Sequence, residues 1–137
     1  MAEPLDRLLR DVRLAGPAGE DRIAQVEKEM DCTLPADVKA FLREHDGGSG
    51  VLGPQKRPIE LWSIERIRDE CEAQEVTRAT PGLVLFGSDG GAEGYGFLPR
   101  VRDRRYGRIS LLAAGAHEFE GLANTFVDLI DALAAGG

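Results

Sequence analysis

The chain has 137 residues, of which 42% are hydrophobic and 30% are charged, and this balance predicts one globular domain with a well-solvated surface. Its formal net charge of −7 at pH 7 disfavours nucleic-acid binding, because an acidic protein repels phosphate backbones, and fits a basic protein partner or none. No segment approaches the roughly 20 apolar residues of a membrane span, and the N-terminus lacks the apolar core of a signal peptide. These features predict a cytoplasmic protein that does not bind a membrane.

Apolar spacing predicts three helices in the first third of the chain. Leucines and a valine on one face, opposite charged residues, indicate an amphipathic N-terminal helix over residues 4–14. A second helix should run through Ile23–Met30. A third should open at Leu34-Pro35, since proline suits the first helical position, and should close at residues 45–48, where glycine can form a left-handed cap.

The middle of the chain is predicted to alternate between loop, strand and helix. Gly47–Pro58 is rich in glycine and proline and is interpreted as a loop. Ile59–Trp62 alternates apolar and polar residues as a strand does, and the only tryptophan, Trp62, is interpreted as a core residue. Ser63 can cap a helix that starts at Ile64 and continues to about Val76.

The apolar run Leu83–Phe86 ends in glycine and predicts a strand buried on both faces, in the centre of a sheet. Five glycines lie between Gly87 and Gly96. The pair Gly90-Gly91 follows Asp89, which is a turn signal because glycine adopts positive φ without a steric cost. The segment therefore predicts a central hairpin with an acidic, glycine-lined bend.

The C-terminal third is predicted to add two strands and a helix. Leu98–Arg102 and Arg108–Leu112 are interpreted as strands joined by a turn at 103–107, and 113–118 as a connector. Apolar residues from Leu122 to Leu133 then mark a final helix. The order of elements predicts a single α+β domain, an antiparallel β-sheet flanked by helices.

Two separated blocks of this sequence resemble the SUKH superfamily, which includes yeast cell-wall-assembly regulators and many bacterial immunity proteins. The first block is a glutamate followed by LPADVKAFLREHDGG at residues 34–48; the second is IELWS at 59–63 followed by the apolar strand and GSDGG at 87–91. The resemblance covers about residues 20–134. The residues that carry the fold motif are Glu27, Leu34, Pro35, Phe41, Leu42, Gly47, Gly48, Gly87 and Gly90.

The resemblance implies a non-enzymatic domain that binds another protein and uses no cofactor. Many bacterial members are antidotes that block a co-encoded toxin, frequently a nuclease, so a basic toxin domain is the expected partner. A regulatory or scaffold module of the cell envelope or of signalling, without a toxin, is the alternative. The candidate partner-binding residues are Asp46, Asp89, Glu93, Tyr95 and Trp62.

Catalytic and metal-binding interpretations rank below protein binding. His45-Asp46 could pair a base with an orienting acid, and His117 lies among acids, but neither histidine accompanies a serine or cysteine nucleophile motif. The acids have no recognised metal-ligand spacing. The glycines lack the Gly-Lys-Ser/Thr of a phosphate loop.

Three further features have a structural interpretation and a functional one. The arginines between Arg100 and Arg108 are interpreted as a solvated hairpin edge, with contact to a local anion or an acidic partner as the alternative. Glu27 is interpreted as a solvated or capping carboxylate, whereas the resemblance implies a structural contact to the Leu34-Pro35 corner. Cys32 and Cys71 are expected to be buried, reduced thiols.

Overall fold

The computed structural model describes residues 2–73, 80, 82–99, 101–112 and 119–135. Seven strands and five helices lie in these ranges. In chain order they are α1 (Ala2–Leu8), β1 (Val12–Leu14), α2 (Glu20–Met30), α3 (Ala36–Glu44), β2 (Gly48–Leu52), β3 (Arg57–Leu61), α4 (Ile64–Ala73), β4 (Val84–Ser88), β5 (Glu93–Phe97), β6 (Tyr106–Ser110), β7 (Glu120–Ala123) and α5 (Phe126–Ala134).

The strands form one antiparallel sheet in which spatial order follows chain order from β1 to β7. Every residue of β4 is buried, and β4 has three strands on either side. The predicted central, doubly buried strand is therefore confirmed. A bulge between Leu85 and Gly87 shifts the β4–β5 register, and Phe86 at that bulge packs against the Phe126 ring at a centroid distance of 5.5 Å.

The main core lies where α3 and α5 meet the sheet. Phe41 of α3 packs against Phe126 of α5 at a ring-centroid distance of 5.4 Å. Trp62 is only 3% exposed and belongs to the same cluster of buried residues, which confirms its interpretation as a core residue. The α+β class and the single domain are as predicted.

The predicted helix over residues 4–14 is wrong at its C-terminal end. Helix α1 ends at Leu8, and Val12 begins the strand β1, which pairs with β2. The predicted loop Gly47–Pro58 is also wrong, because most of this segment forms β2 and the start of β3. An ideal Cβ on Gly50 would lie only 2.7 Å from the Val12 Cα of β1. Glycine at this position therefore allows β1 and β2 to pair closely and does not mark a flexible loop.

Two C-terminal boundaries also differ from prediction. No strand occupies the described part of Leu98–Arg102, and Tyr106, which was placed in a turn, begins β6. Leu122 lies in β7 rather than in the final helix. Helix α5 starts only at Phe126, because the Thr125 hydroxyl accepts a hydrogen bond from the Asp128 N–H at 3.1 Å and caps the helix there. The predicted connector at 113–118 and the end of the fourth predicted helix lie outside the described residues.

Other local predictions have mixed outcomes. The Ser63 hydroxyl accepts a hydrogen bond from the Arg66 N–H at 3.1 Å, which confirms the predicted cap of α4. Pro35 precedes α3 as its capping residue instead of occupying its first position. Cys32 and Cys71 are half-buried rather than buried. Burial raises the pKa of the Cys71 thiol to about 11. No helix in the described ranges has the length and apolar character to cross a membrane.

Candidate functional site

The bend between β4 and β5 is held in one shape by its own residues. The Asp89 carboxylate accepts hydrogen bonds through Oδ1 from the Gly91 N–H at 2.8 Å and the Glu93 N–H at 3.2 Å. The Asp89 N–H donates to the Glu93 carbonyl at 3.1 Å. Gly90 has φ +86°, a conformation that suits glycine. Asp89 thus fixes the shape of the bend. It also fixes the backbone position of Glu93, which is the first residue of β5 after the bend.

Arg108 converts this acidic bend into a mixed-charge surface. Its Nε lies 3.6 Å from Glu93 Oε1 and 2.8 Å from Glu120 Oε1. The hydrogen bond to Glu120 raises the pKa of the Arg108 guanidinium. Of the arginine cluster, Arg108 therefore belongs to the bend, whereas Arg105 Nε donates to the carbonyl of Val101, four residues earlier, at 2.9 Å.

Tyr95 lies beneath these charged groups and is 6% exposed. Burial raises the pKa of its phenol to about 12, and the nearby Asp89 and Glu93 carboxylates act in the same direction. We call Asp89, Glu93, Tyr95, Arg108 and Glu120 the bend cluster. Its exposed groups are charged, and its base is a buried aromatic ring on a central hairpin.

Glu60 links the bend to β2, a connection that sequence reasoning missed. In the sheet register, Glu60 stands opposite Ser49 of β2 on one side and Ser88 of β4 on the other. Its carboxylate lies 3.6 Å from the position of an ideal Cβ on Gly90 and 3.2 Å from the Arg66 guanidinium. The alternation of apolar and polar residues within IELWS was the sequence signal for this position of Glu60, because it places Glu60 on the strand face opposite to the apolar residues.

Two of the candidate partner-binding residues are engaged in the fold. The Asp46 carboxylate accepts a hydrogen bond from the Ile64 N–H at 2.7 Å, at the start of α4, and the Asp46 N–H donates to the Gly16 carbonyl at 2.6 Å. Trp62 is buried, and the Arg66 guanidinium covers its ring at 5.2 Å from the centroid. Trp62 Nε1 is buried without a hydrogen-bond partner among the described residues. The structure does not bring either side chain into the bend cluster.

Glu27 was interpreted as a solvated or capping carboxylate, and the solvated interpretation is wrong, because the carboxylate binds a backbone N–H. Its Oε2 accepts a hydrogen bond from the Leu34 N–H at 2.7 Å and lies 3.4 Å from Lys39 Nζ. The carboxylate thereby ties the end of α2 to the corner before α3. This is the contact to Leu34-Pro35 that the resemblance implied.

We expect Glu27→Ala to lower the free energy of unfolding by about 2 kcal/mol, because it leaves a half-buried N–H without an acceptor and removes the ion pair to Lys39. Glu27→Gln keeps an oxygen acceptor and should lose less than half as much. Urea unfolding followed by circular dichroism measures both variants. Equal losses in the two would show that the hydrogen bond to Leu34 does not carry the effect.

Asp37 is the structural residue that the sequence analysis missed. Its Oδ2 accepts a hydrogen bond from the Phe126 N–H at 2.8 Å, at the first residue of α5, and its Oδ1 accepts one from the Tyr106 hydroxyl. Burial of the phenol is the largest cause that raises the pKa of Tyr106, and the hydrogen bond to Asp37 is the next largest. An acid in the first turn of α3 is common for electrostatic reasons, so nothing local in the sequence revealed two partners that lie 69 and 89 residues away.

The histidines do not support a catalytic site in the described part of the chain. His45 Nδ1 lies 2.9 Å from the Ala15 carbonyl, so this nitrogen carries the proton and donates it. The carboxylate of Asp46, the proposed orienting acid of His45, instead accepts a hydrogen bond from the Ile64 N–H. His117 lies outside the described residues. Within the described ranges, no three His, Cys, Asp or Glu side chains are grouped so that they could hold a metal ion.

The motif residues beyond Glu27 act in packing and in close backbone contacts. Leu34, Phe41 and Leu42 are buried in the core. Gly87 of β4 faces the Glu60 carbonyl of the neighbouring strand β3, and an ideal Cβ on Gly87 would lie 2.6 Å from that oxygen. The motif thus encodes the corner between α2 and α3 and the pairing of β3 with β4.

Comparison with known proteins agrees with this assignment of the motif. No curated protein matches the chain. The model of the SMI1 / KNR4 family (SUKH-1) matches residues 17–132, which includes every element from α2 to β7 and most of α5. The chain therefore belongs to the SMI1 / KNR4 family (SUKH-1).

Proposed function

We propose that this protein is a non-enzymatic binding domain, and specifically an immunity protein that binds and neutralises a cognate toxin in the bacterial cytoplasm. Membership of the SMI1 / KNR4 family supports either an immunity protein or an SMI1-like protein. The net charge of −7 favours a basic partner, and nuclease toxins carry basic surfaces to bind nucleic acid. Occlusion of that basic surface would block the toxin.

The observation that carries this proposal is the fixed geometry of the bend cluster. Asp89 holds the bend through two backbone N–H groups, so little conformational entropy is lost when a partner binds there. The side chains of Glu93 and Glu120 are 38% and 58% exposed. A basic residue of the partner can replace Arg108 as their counter-ion, or add to it.

Removal of two charges from the bend cluster tests this surface. We expect the double variant Asp89→Asn, Glu93→Gln to weaken binding of the partner recovered from a native lysate by about tenfold, mostly through slower association. Asparagine keeps an oxygen that can accept the two backbone N–H groups, so the bend should survive. Surface plasmon resonance at low and high salt measures the association rate.

The control is Asp21→Asn, Glu65→Gln, which removes the same net charge from exposed positions on α2 and α4. It should leave the association rate within about twofold of wild type, since separated surface charges are screened beyond about 8 Å at physiological salt. Equal losses in the two double variants would contradict docking through the bend cluster and would indicate only an effect of overall charge.

A regulatory or scaffold module without a toxin is the second candidate. The placement of Arg108 between Glu93 and Glu120 favours it, because a mixed-charge surface suits partners of either sign. The identity of the captured partner separates the two functions. A toxin domain supports immunity, and an envelope or signalling protein supports the regulatory module.

A further inference from the structure

A second surface, away from the bend cluster, has the composition of a binding groove. A cleft of about 350 Å³ lies between α1, α3 and α5, a volume within the range of natural ligand sites. Phe41 and Phe126 form part of its floor, and the half-buried Leu5 and Leu14 leave apolar surface open to it. The cleft therefore offers apolar contact area that the folded domain does not itself cover.

Three carboxylates and one histidine are the polar side chains that line this cleft. Asp6, Asp37 and Glu44 line it together with His45, and no lysine or arginine is among the described residues that line it. Asp6 and Glu44 are exposed. Among the ion pairs of the described ranges, neither carboxylate has a cationic partner.

Some other surface carboxylates of the domain form ion pairs with arginines. Glu65 lies 2.8 Å from Arg22, and Glu29 lies 2.7 Å from Arg68. In the bend cluster, Arg108 forms ion pairs with both Glu93 and Glu120. In the α1–α3–α5 cleft, Asp6 and Glu44 border apolar surface and form no ion pair with a described residue. The charge complement of the cleft is a cationic group attached to an apolar side chain.

We infer that the α1–α3–α5 cleft binds a protein segment in which a leucine or aromatic side chain is flanked by lysine or arginine. The apolar side chain packs on Phe41 and Leu14, and the flanking cations pair with Asp6 and Glu44. Apolar burial supplies affinity, and the unpaired acids select a basic segment over an acidic one. The inference holds for a toxin or any other basic partner, and it does not depend on the bend cluster.

Short synthetic peptides test this inference directly. A fluorescent peptide of leucine and lysine in a helical repeat should bind the wild-type protein saturably, with a dissociation constant in the micromolar range and weaker binding at high salt. A leucine/glutamate peptide and a serine/lysine peptide of the same pattern should bind at least tenfold more weakly. Absence of saturable binding by the leucine/lysine peptide would overturn the inference.

Two variants test whether the peptide binds in the cleft. Ala40 is exposed, lines the cleft and lies in α3, so Ala40→Lys adds both volume and positive charge and should weaken peptide binding at least tenfold. Lysine is a good helix former, and the fold should be retained. Ala24→Lys makes the same change at an exposed position of α2 and should leave binding unchanged.

The double variant Asp6→Asn, Glu44→Gln removes the charges but keeps the shape of the cleft, and it should abolish most of the preference for lysine over glutamate peptides. Equal binding by wild type and Ala40→Lys would overturn the inference. If Ala40→Lys instead converts a wild-type dimer into a monomer in sedimentation, the cleft is an interface between copies of this chain, and the inference is wrong.

Discussion

Asp37→Ala should lower the free energy of unfolding by about 3 kcal/mol, because a single half-buried carboxylate accepts hydrogen bonds from two separate elements. Its oxygens accept from the Phe126 N–H at the start of α5 and from the Tyr106 hydroxyl on β6. Alanine leaves both donors unsatisfied in a partly dry environment. Removal of the anion also takes away a favourable charge at the N-terminus of α5.

Two related variants separate the contributions to this loss. Asp37→Asn keeps one oxygen acceptor and should cost roughly half as much. Tyr106→Phe removes one donor and should cost about 1 kcal/mol. Urea denaturation followed by circular dichroism gives all three free energies. A loss below about 1 kcal/mol for Asp37→Ala would show that water replaces the carboxylate at both donors and that α3 is not tied to α5 through this residue.

Gly47→Ala should destabilise the domain by a similar amount, about 3 kcal/mol, since it combines backbone strain with a clash. Gly47 has φ +90°, and an ideal Cβ there lies 2.5 Å from the Leu61 carbonyl oxygen and 2.8 Å from the Ser63 nitrogen. Both atoms are backbone at the junction of β3 and α4, so neither can move without disturbing the sheet or the helix.

The chain offers matched controls for the two parts of this effect. Gly82 also has positive φ, at +88°, but an ideal Cβ there meets no atom of the described residues within 4 Å. Gly82→Ala therefore measures the conformational strain alone, about 1 to 2 kcal/mol. Gly16 has open space and no positive φ, so Gly16→Ala should be close to neutral. A loss for Gly47→Ala equal to that for Gly82→Ala would contradict the close approach at Gly47.

The sequence predicts best those elements whose signal is local. The run Leu83–Phe86 is apolar without alternation and ends in glycine, which is typical of a strand covered on both faces. The cap at Ser63 depends on a hydroxyl three residues before its donor. The bend at Asp89–Gly91 depends on a carboxylate within reach of its own turn. Each of these features is set by residues within a few positions of one another.

The sequence predicts poorly those features that depend on distant partners. Strand β1 is three residues long and exists because β2 accepts it, and the glycines of β2 were interpreted as loop residues. Leu122 has helical spacing from Phe126 by coincidence, since Thr125 caps α5 between them. Arg108 was grouped with the arginines of a solvated hairpin edge, and only the sheet register places it between Glu93 and Glu120.

The candidate site shows the same division. The acidic bend was predicted from Asp89, Glu93 and the glycines, and the structure brings these residues together with Tyr95. Glu60 and Arg108 reach the bend through strand pairing. Asp37 and Glu27 were undervalued, because a carboxylate on a helix surface is most often solvated and its backbone partners lie in other elements.

A growth assay tests the proposed immunity function most directly. The protein recovered from native lysate with tagged wild-type chain is expressed alone and together with this domain. We predict that the partner alone arrests growth, that the wild-type domain restores it, and that the Asp89→Asn, Glu93→Gln variant restores it less well. A captured partner that leaves growth unaffected, or that arrests it equally in the presence of the domain, would contradict toxin neutralisation.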